Sequence, residues 1–189
     1  MRPRDNPFAT DRIEALPFRL PAGLTWESFL DRCAAAKWRG AVVGPQGSGK
    51  TTLFEQLMPK VRERGFVPYL FRVRADSTMA EKQTLLTLVR SLRAPDLLLL
   101  DGAEQLTTRE WLTVHSAAGA AAGCMITVHR TGRLPTLLET RTSPALLIEL
   151  AAELAGDQLS NAEAAVLFKR HSGNLRECLR TLYDKKAVA

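Results

Sequence analysis

Gly44, Gly49, Lys50 and Thr51 fall at the spacing G-x-x-x-x-G-K-[ST] inside the run Gly44, Pro45, Gln46, Gly47, Ser48, Gly49, Lys50, Thr51, Thr52. Glycines let the backbone turn so that successive N–H groups converge on phosphate oxygens, aided by the positive end of a following helix. A lysine here carries a compact charge to the β- and γ-phosphates, and the Thr51 hydroxyl is a ligand for Mg²⁺. Average residue frequencies give such a match by chance in roughly 1% of chains of this length. The competing reading is a glycine-rich turn without a ligand. A strand signal before the loop and an amphipathic helix after it favour a site for ATP and Mg²⁺ over residues 44–52.

A phosphate-bound Mg²⁺ also needs a carboxylate at the tip of a neighbouring strand. Leu97 to Leu100 followed by Asp101 supplies it, four apolar residues and then an acid where the sheet should end. The bland alternative is an Asp that merely forms a turn or cap. No N-K-x-D guanine-reading segment occurs, which argues against a GTPase. No S-G-G-Q-like signature occurs either, which argues against an ABC-type ATPase.

These groups must be held by strands whose ends lie together. Short apolar runs alternate with longer amphipathic ones, the pattern of β-α-β units on a parallel sheet. Arg39 to Val43 reads as a strand leading into the glycine loop, and Thr51 to Arg64 as a helix stopped by Gly65. Phe66 to Val73 reads as a strand that Pro68 keeps near an edge. Thr78 and Glu81 form a capping-box pair for a helix with Leu85, Leu88, Val89 and Leu92 on one face. Asp96 to Leu100 lacks alternation, as a strand buried on both faces should. Thr107 and Glu110 predict a helix through about Ala122, Cys124 to Val128 another central strand, and Thr136 to Thr142 a shorter fifth. From Ser143 onward the pattern is helical, with starts at Ser143–Pro144, at Ser160 and at Asn174, and stops near Gly156 and Gly173. The expected division is a leader over residues 1–38, an α/β core over 39–143 and a three-helix tail over 144–189.

Hydrophobic residues make up 46% and charged residues 24% of the 189 residues, an ordinary globular composition that argues against disorder. The longest weakly polar run, Ala117 to Val128, is too short to span a bilayer, and MRPRDNPF has no apolar signal core. A cytoplasmic location is expected, and Cys33, Cys124 and Cys178 read as reduced thiols. The net charge of +6 attracts polyanions, so DNA is a possible partner. The cations are scattered, however, and solvated helix faces plus a phosphate site account for them. His115 reads as a packing residue, and Trp26, Trp38 and Trp111 as anchors of helix packing.

One strand lies between the glycine loop and the Asp101 strand, and another, ending in Thr127, Val128 and His129, follows. That order resembles the additional-strand P-loop ATPases, which include the AAA+ family. His171 to Tyr183, HSGNLRECLRTLY, resembles the family's sensor-2 segment, where a Gly-Asn-x-Arg turn opens a lid helix. The resemblance implies that Arg176 reaches the γ-phosphate, a task that suits an always-charged, forked guanidinium. Read without it, Asn174 is an N-cap and Arg176 a surface charge. The resemblance also gives Thr127 the polar sensor-1 position, with His129 as the other occupant and a buried structural threonine as the alternative. Asn6, Pro7, Phe8 and Ile13 resemble the N-terminal loop that packs on the adenine, or else form a disordered leader pinned by one aromatic. The short core and compact lid are most similar to bacterial AAA+ ATPases of secretion and transposition systems. The implied fold is α/β: a three-layer P-loop core with a parallel five-stranded sheet, plus a small C-terminal three-helix lid. A nucleotide-dependent homo-oligomer is allowed.

The family usually has Asp-Glu at the end of the third strand, the Glu polarising the attacking water. Here Asp101 is followed by Gly102, and the next carboxylate is Glu104. Glu104 is either the displaced base or a solvated residue at a helix start. An AAA+-like ATPase driving an unknown macromolecular partner is the leading expectation, with Lys50, Glu104, Thr127 and Arg176 as its working residues. Gly102 favours the alternative, an ATP-dependent switch with little turnover. A small-molecule kinase would need a basic lid, and the sensor-2-like turn argues against it. Arg130, Arg133 and Arg141 all stand where an arginine finger could.

Overall fold

The computed structural model describes residues 6–156 and 159–188. The chain divides into two compact units, one of Arg19–Gly44 with Lys50–Glu139, the other of Met1–Phe18, Pro45–Gly49 and Thr140–Ala189.

The first unit is built on five parallel strands: β1 (Arg39–Val43), β2 (Val67–Arg72), β3 (Asp96–Asp101), β4 (Gly123–Val128) and β5 (Thr136–Glu139). Their order is β2-β3-β4-β1-β5, so β4 is inserted between the strand that feeds the glycine loop and the strand that ends in Asp101. The unbroken apolar run Leu97 to Leu100 is buried on both faces of the sheet, since alternate side chains point to opposite sides. Leu98 and Leu100 of β3, with Ile126 of β4, share a core with Leu85 and Val89 of α4 (Met79–Ser91) and with Trp111 and Val114 of α5 (Thr108–Ala117). Pro68 sits on the edge strand β2, as its missing N–H requires. The capping boxes at Thr78/Glu81 and Thr107/Glu110 are both formed.

Three sequence expectations change. The helix from Thr107 stops at Ala117 and gives way to a 3₁₀ turn, Ala118–Ala120, instead of running to Ala122. The Arg39 guanidinium explains the stop: its Nη2 donates to the carbonyls of Ala118, Gly119 and Ala121 at 3.1–3.3 Å, satisfying groups that a longer helix would have bonded itself. The fifth strand ends at Glu139, not Thr142, because its partner β1 runs out at Val43, the residue opposite Glu139. Residues 1–38 hold two helices, α1 (Thr10–Ala15) and α2 (Trp26–Ala35). α2 is opened by a capping box of Thr25 and Ser28, with serine where the usual signal has Glu or Gln. The tryptophans are packing anchors as expected: Trp38 lies 4.9 Å from the Phe66 ring and Trp26 packs edge-on to Phe29.

The second unit is helical. α1, α6 (Pro144–Ala155), α7 (Asn161–Arg170) and α8 (Leu175–Val188) surround a core of Leu147, Leu167, Cys178 and Leu179. Ser143 and Ser160 cap α6 and α7 through their side chains. Phe8 is buried in this core. Asn6, 1% exposed, donates from Nδ2 to the Tyr183 carbonyl at 2.9 Å and accepts from the Phe8 N–H. The segment is therefore tied down, and the reading of Asn6–Phe8 as a disordered leader is set aside.

Cys33, Cys124 and Cys178 are free and buried, and burial pushes the Cys33 and Cys124 thiols up to about 12. Among the described residues no helix is long and apolar enough to cross a membrane.

Candidate nucleotide site

The ends of β1 and β4 lie side by side, Val43 opposite Val128, and the Gly44 N–H extends the pairing by donating to the Val128 carbonyl at 3.1 Å. After the loop, α3 (Lys50–Glu63) begins on the lysine itself. Lys50 is buried, with Nζ donating to the Gly44 carbonyl at 2.7 Å. Burial pulls its ammonium below the usual range, and attraction to Glu104 and then to Asp101 opposes that shift. A desolvated ammonium near two carboxylates, at the start of a helix, is suited to take up phosphate charge.

Pro45–Gly49 belong to the helical unit. Gly47 and Gly49 are left-handed, at φ 74° and 84°. Ser48 Oγ donates to the Pro45 carbonyl at 2.8 Å and shares a 2.6 Å hydrogen bond with Thr140 Oγ1. A side chain at Gly47 would collide with that of Asn174, the residue whose Oδ1 accepts the first N–H groups of α8. Pro45 and Gln46 are exposed, while Thr52 is half-buried on α3. Arg176, in the first turn of α8, is exposed, and its backbone N–H is among those that Asn174 caps.

Asp101, at the end of β3, accepts a hydroxyl on each oxygen: Thr51 donates to Oδ2 at 2.7 Å and Thr127 to Oδ1 at 2.6 Å. Thr127 is fully buried and its oxygen also accepts from the Gly102 N–H at 2.8 Å. Its hydroxyl thereby shapes the Asp101–Gly102 turn. Arg72, opposite Asp101 on β2, brings Nε to 3.9 Å from Oδ2 and forms an ion pair with Glu55 of α3. Sequence reading missed Arg72, because strand register is the signal that reveals it.

One carboxylate beside one hydroxyl, with no cluster of three or more acidic, histidine or cysteine ligands among the described residues, is an all-oxygen donor set. It fits Mg²⁺, which takes most of its ligands from phosphate and water and one or two from protein.

Gly102 is left-handed, at φ 80°, and a Cβ there would lie well inside 3.0 Å of the Val73 carbonyl oxygen. The position after Asp101 therefore has no room for a glutamate. The chain instead makes a single 3₁₀ turn, Ala103–Gln105, which carries Glu104. Glu104 Oε1 lies 3.1 Å from His129 Nε2, just beyond β4, while its buried Oε2 has no hydrogen-bond partner among the described residues. Glu104 is thus partly buried and in contact with His129, not a solvated helix-start residue. Arg133 folds back on the same unit: Nη2 donates to the Leu106 carbonyl at 2.5 Å and the guanidinium lies 5.4 Å over the Trp111 ring.

Gly44, Lys50, Thr51, Asp101, Glu104 and Thr127 thus come together in the α/β unit, and Pro45–Gly49 and Arg176 belong to the helical one. No protein-family model matches the chain, and no curated protein matches its sequence. Among solved structures it is similar to a single-substitution variant of RuvB from Thermotoga maritima, with 20% identity and a TM-score of 0.54 over 82% of this chain. The chain spans 58% of that protein's length, and at this identity the likeness is one of fold. Its sheet order, glycine loop and strand-end aspartate, together with this likeness, give the chain the α/β P-loop fold of AAA+ type.

Proposed function

We propose that the chain binds ATP with Mg²⁺ at residues 44–52 and hydrolyses it, with Glu104 orienting the attacking water. The supporting observation is Glu104 itself, whose buried Oε2 has no partner among the described residues and whose charge acts on Lys50 more strongly than that of Asp101. The phosphate-bound cation would neutralise charge on the γ-phosphoryl oxygens. Thr51 and Asp101 would hold it. Thr127 keeps Asp101 turned toward Thr51, and Lys50 exchanges its contact with the Gly44 carbonyl for phosphate. Glu104 would accept a proton from water at Oε2, and Arg176 would supply the γ-phosphate cation that the family resemblance implies. The activity is coupled to a macromolecular partner in the cytoplasm, with DNA as the partner that net charge favours and a nucleotide-dependent homo-oligomer as the working form.

Gly102 at the usual glutamate position supports a second reading, an ATP-dependent switch with negligible turnover. Phosphate release by the purified protein, with and without DNA, separates the two. Glu104→Gln should keep ATP binding and reduce turnover by roughly two to four orders of magnitude, the usual worth of a general base. Wild-type turnover in this variant removes Glu104 from the mechanism. No release by the wild type under any condition leaves the switch.

A further inference from the structure

Glu104 reaches its position through one short 3₁₀ turn after a glycine, a weaker mount than the end of a strand. A group that must orient water needs a fixed carboxylate, so something else has to hold it. His129 meets that need. It follows Val128, the last residue of β4, whose carbonyl accepts the N–H of Gly44 at the start of the glycine loop. The imidazole is thus carried by the strand that sets the loop, and its Nε2 meets Glu104 Oε1 at 3.1 Å. Oε1 is engaged and Oε2 is buried without a partner among the described residues, which leaves one oxygen oriented with its hydrogen-bonding capacity unused. Lys50 and Arg133 also interact electrostatically with this carboxylate.

We propose that His129 is a positioning residue for Glu104, so that the water-orienting group of this chain is a histidine–glutamate pair built across the ends of β3 and β4. The inference rests on the reading of Glu104 given above. With Nε2 as donor, the imidazole fixes the carboxylate plane and leaves Oε2 to accept the proton of water. The pair takes over the task of the missing glutamate beside Asp101.

The test uses the full chain. His129→Ala should lower kcat about a hundredfold, the order expected when a reacting group is misplaced by about 1 Å. Nucleotide affinity should stay within about twofold, because the imidazole meets Glu104, which acts on the attacking water and not in holding the nucleotide. His129→Gln, which retains a donor, should recover a substantial part of the rate. In the Glu104→Gln background, His129→Ala should cost nothing further, since the residue it orients is already disabled.

A wild-type rate in His129→Ala alongside a slow Glu104→Gln overturns the pairing and leaves Glu104 as the base. A wild-type rate in Glu104→Gln overturns the base assignment first. A full additional loss in the double variant places His129 in some other role and also overturns the pairing. A measurement independent of turnover is the NMR spectrum of nucleotide-free protein, in which Glu104→Gln should move the His129 ring signals. Unmoved ring signals refute the contact.

Discussion

Replacing Gly102 by alanine adds one methyl group at a left-handed residue, φ 80°, directly against the Val73 carbonyl oxygen. A non-glycine residue in that region costs about 1–2 kcal/mol. The overlap adds to it, because the Val73 backbone must move and its N–H bond to the Asp101 carbonyl, 2.8 Å long, is disturbed. A backbone hydrogen bond contributes about 1 kcal/mol net. The expected loss is therefore about 2–3 kcal/mol, or roughly 4–12 °C in Tm for a chain of this size. Thermal unfolding followed by circular dichroism measures it. Gly119→Ala is the control, since nothing lies within 4 Å of a Cβ there and its φ is unexceptional. Gly119→Ala should melt within about 1 °C of wild type on the same scale. If Gly102→Ala melts with the control, the steric account of the Asp-Gly pair is wrong. The same reasoning predicts that Gly102→Glu, which restores the family's usual pair in sequence, releases less phosphate than wild type.

Three further outcomes are expected. Lys50→Ala should leave the melting curve nearly unchanged and lower ATP affinity by about tenfold or more, read by nucleotide titration at fixed Mg²⁺. Thr127→Val keeps the shape of the side chain but orphans the Gly102 N–H and one Asp101 oxygen. It should cost about 1–3 kcal/mol in chemical denaturation. The Thr107 backbone N–H, and after it Lys82, hold the Glu110 carboxyl below its ordinary value of 4.5. A depressed carboxyl stabilises the fold above that ordinary value and loses the effect as pH falls through the lowered one. Glu110→Gln should therefore lower stability in urea unfolding at pH 7, by about a few tenths of a kcal/mol for a group screened by solvent. The difference from wild type should disappear as pH falls through the lowered carboxyl value.

The parts of this molecule that were readable in advance are those whose cause is local. The glycine loop, the capping boxes at Thr78 and Thr107 and the doubly buried Leu97–Leu100 run each follow from neighbouring residues, and the structure forms all of them. The α5 stop was hidden because Arg39, a residue far away in sequence, satisfies the carbonyls there. Arg72 beside Asp101 needed strand register. His129 beside Glu104 needed the path of a turn whose φ values no pattern announces. The absence of glutamate after Asp101 looked like a missing part. Its cause is the Val73 carbonyl, which comes from a different strand segment.

Asn6 and Tyr183 are hydrogen-bonded across 177 positions, and Phe8 lies in one core with Leu147, Leu167 and Cys178. At about 5–20 residues per second, a ribosome needs roughly ten to thirty seconds to pass from the first of these partners to the last. Until Leu147 and the residues after it are made, the ring of Phe8 lacks most of its core, while Arg19–Gly44 and Lys50–Glu139 can already assemble their sheet. The helical unit closes afterwards, and it includes Pro45–Gly49, whose Ser48 waits for Thr140. A nascent chain that has emerged through α7 but not α8 would thus carry a finished sheet while Gly47 still waits for the Asn174 side chain that lies against it.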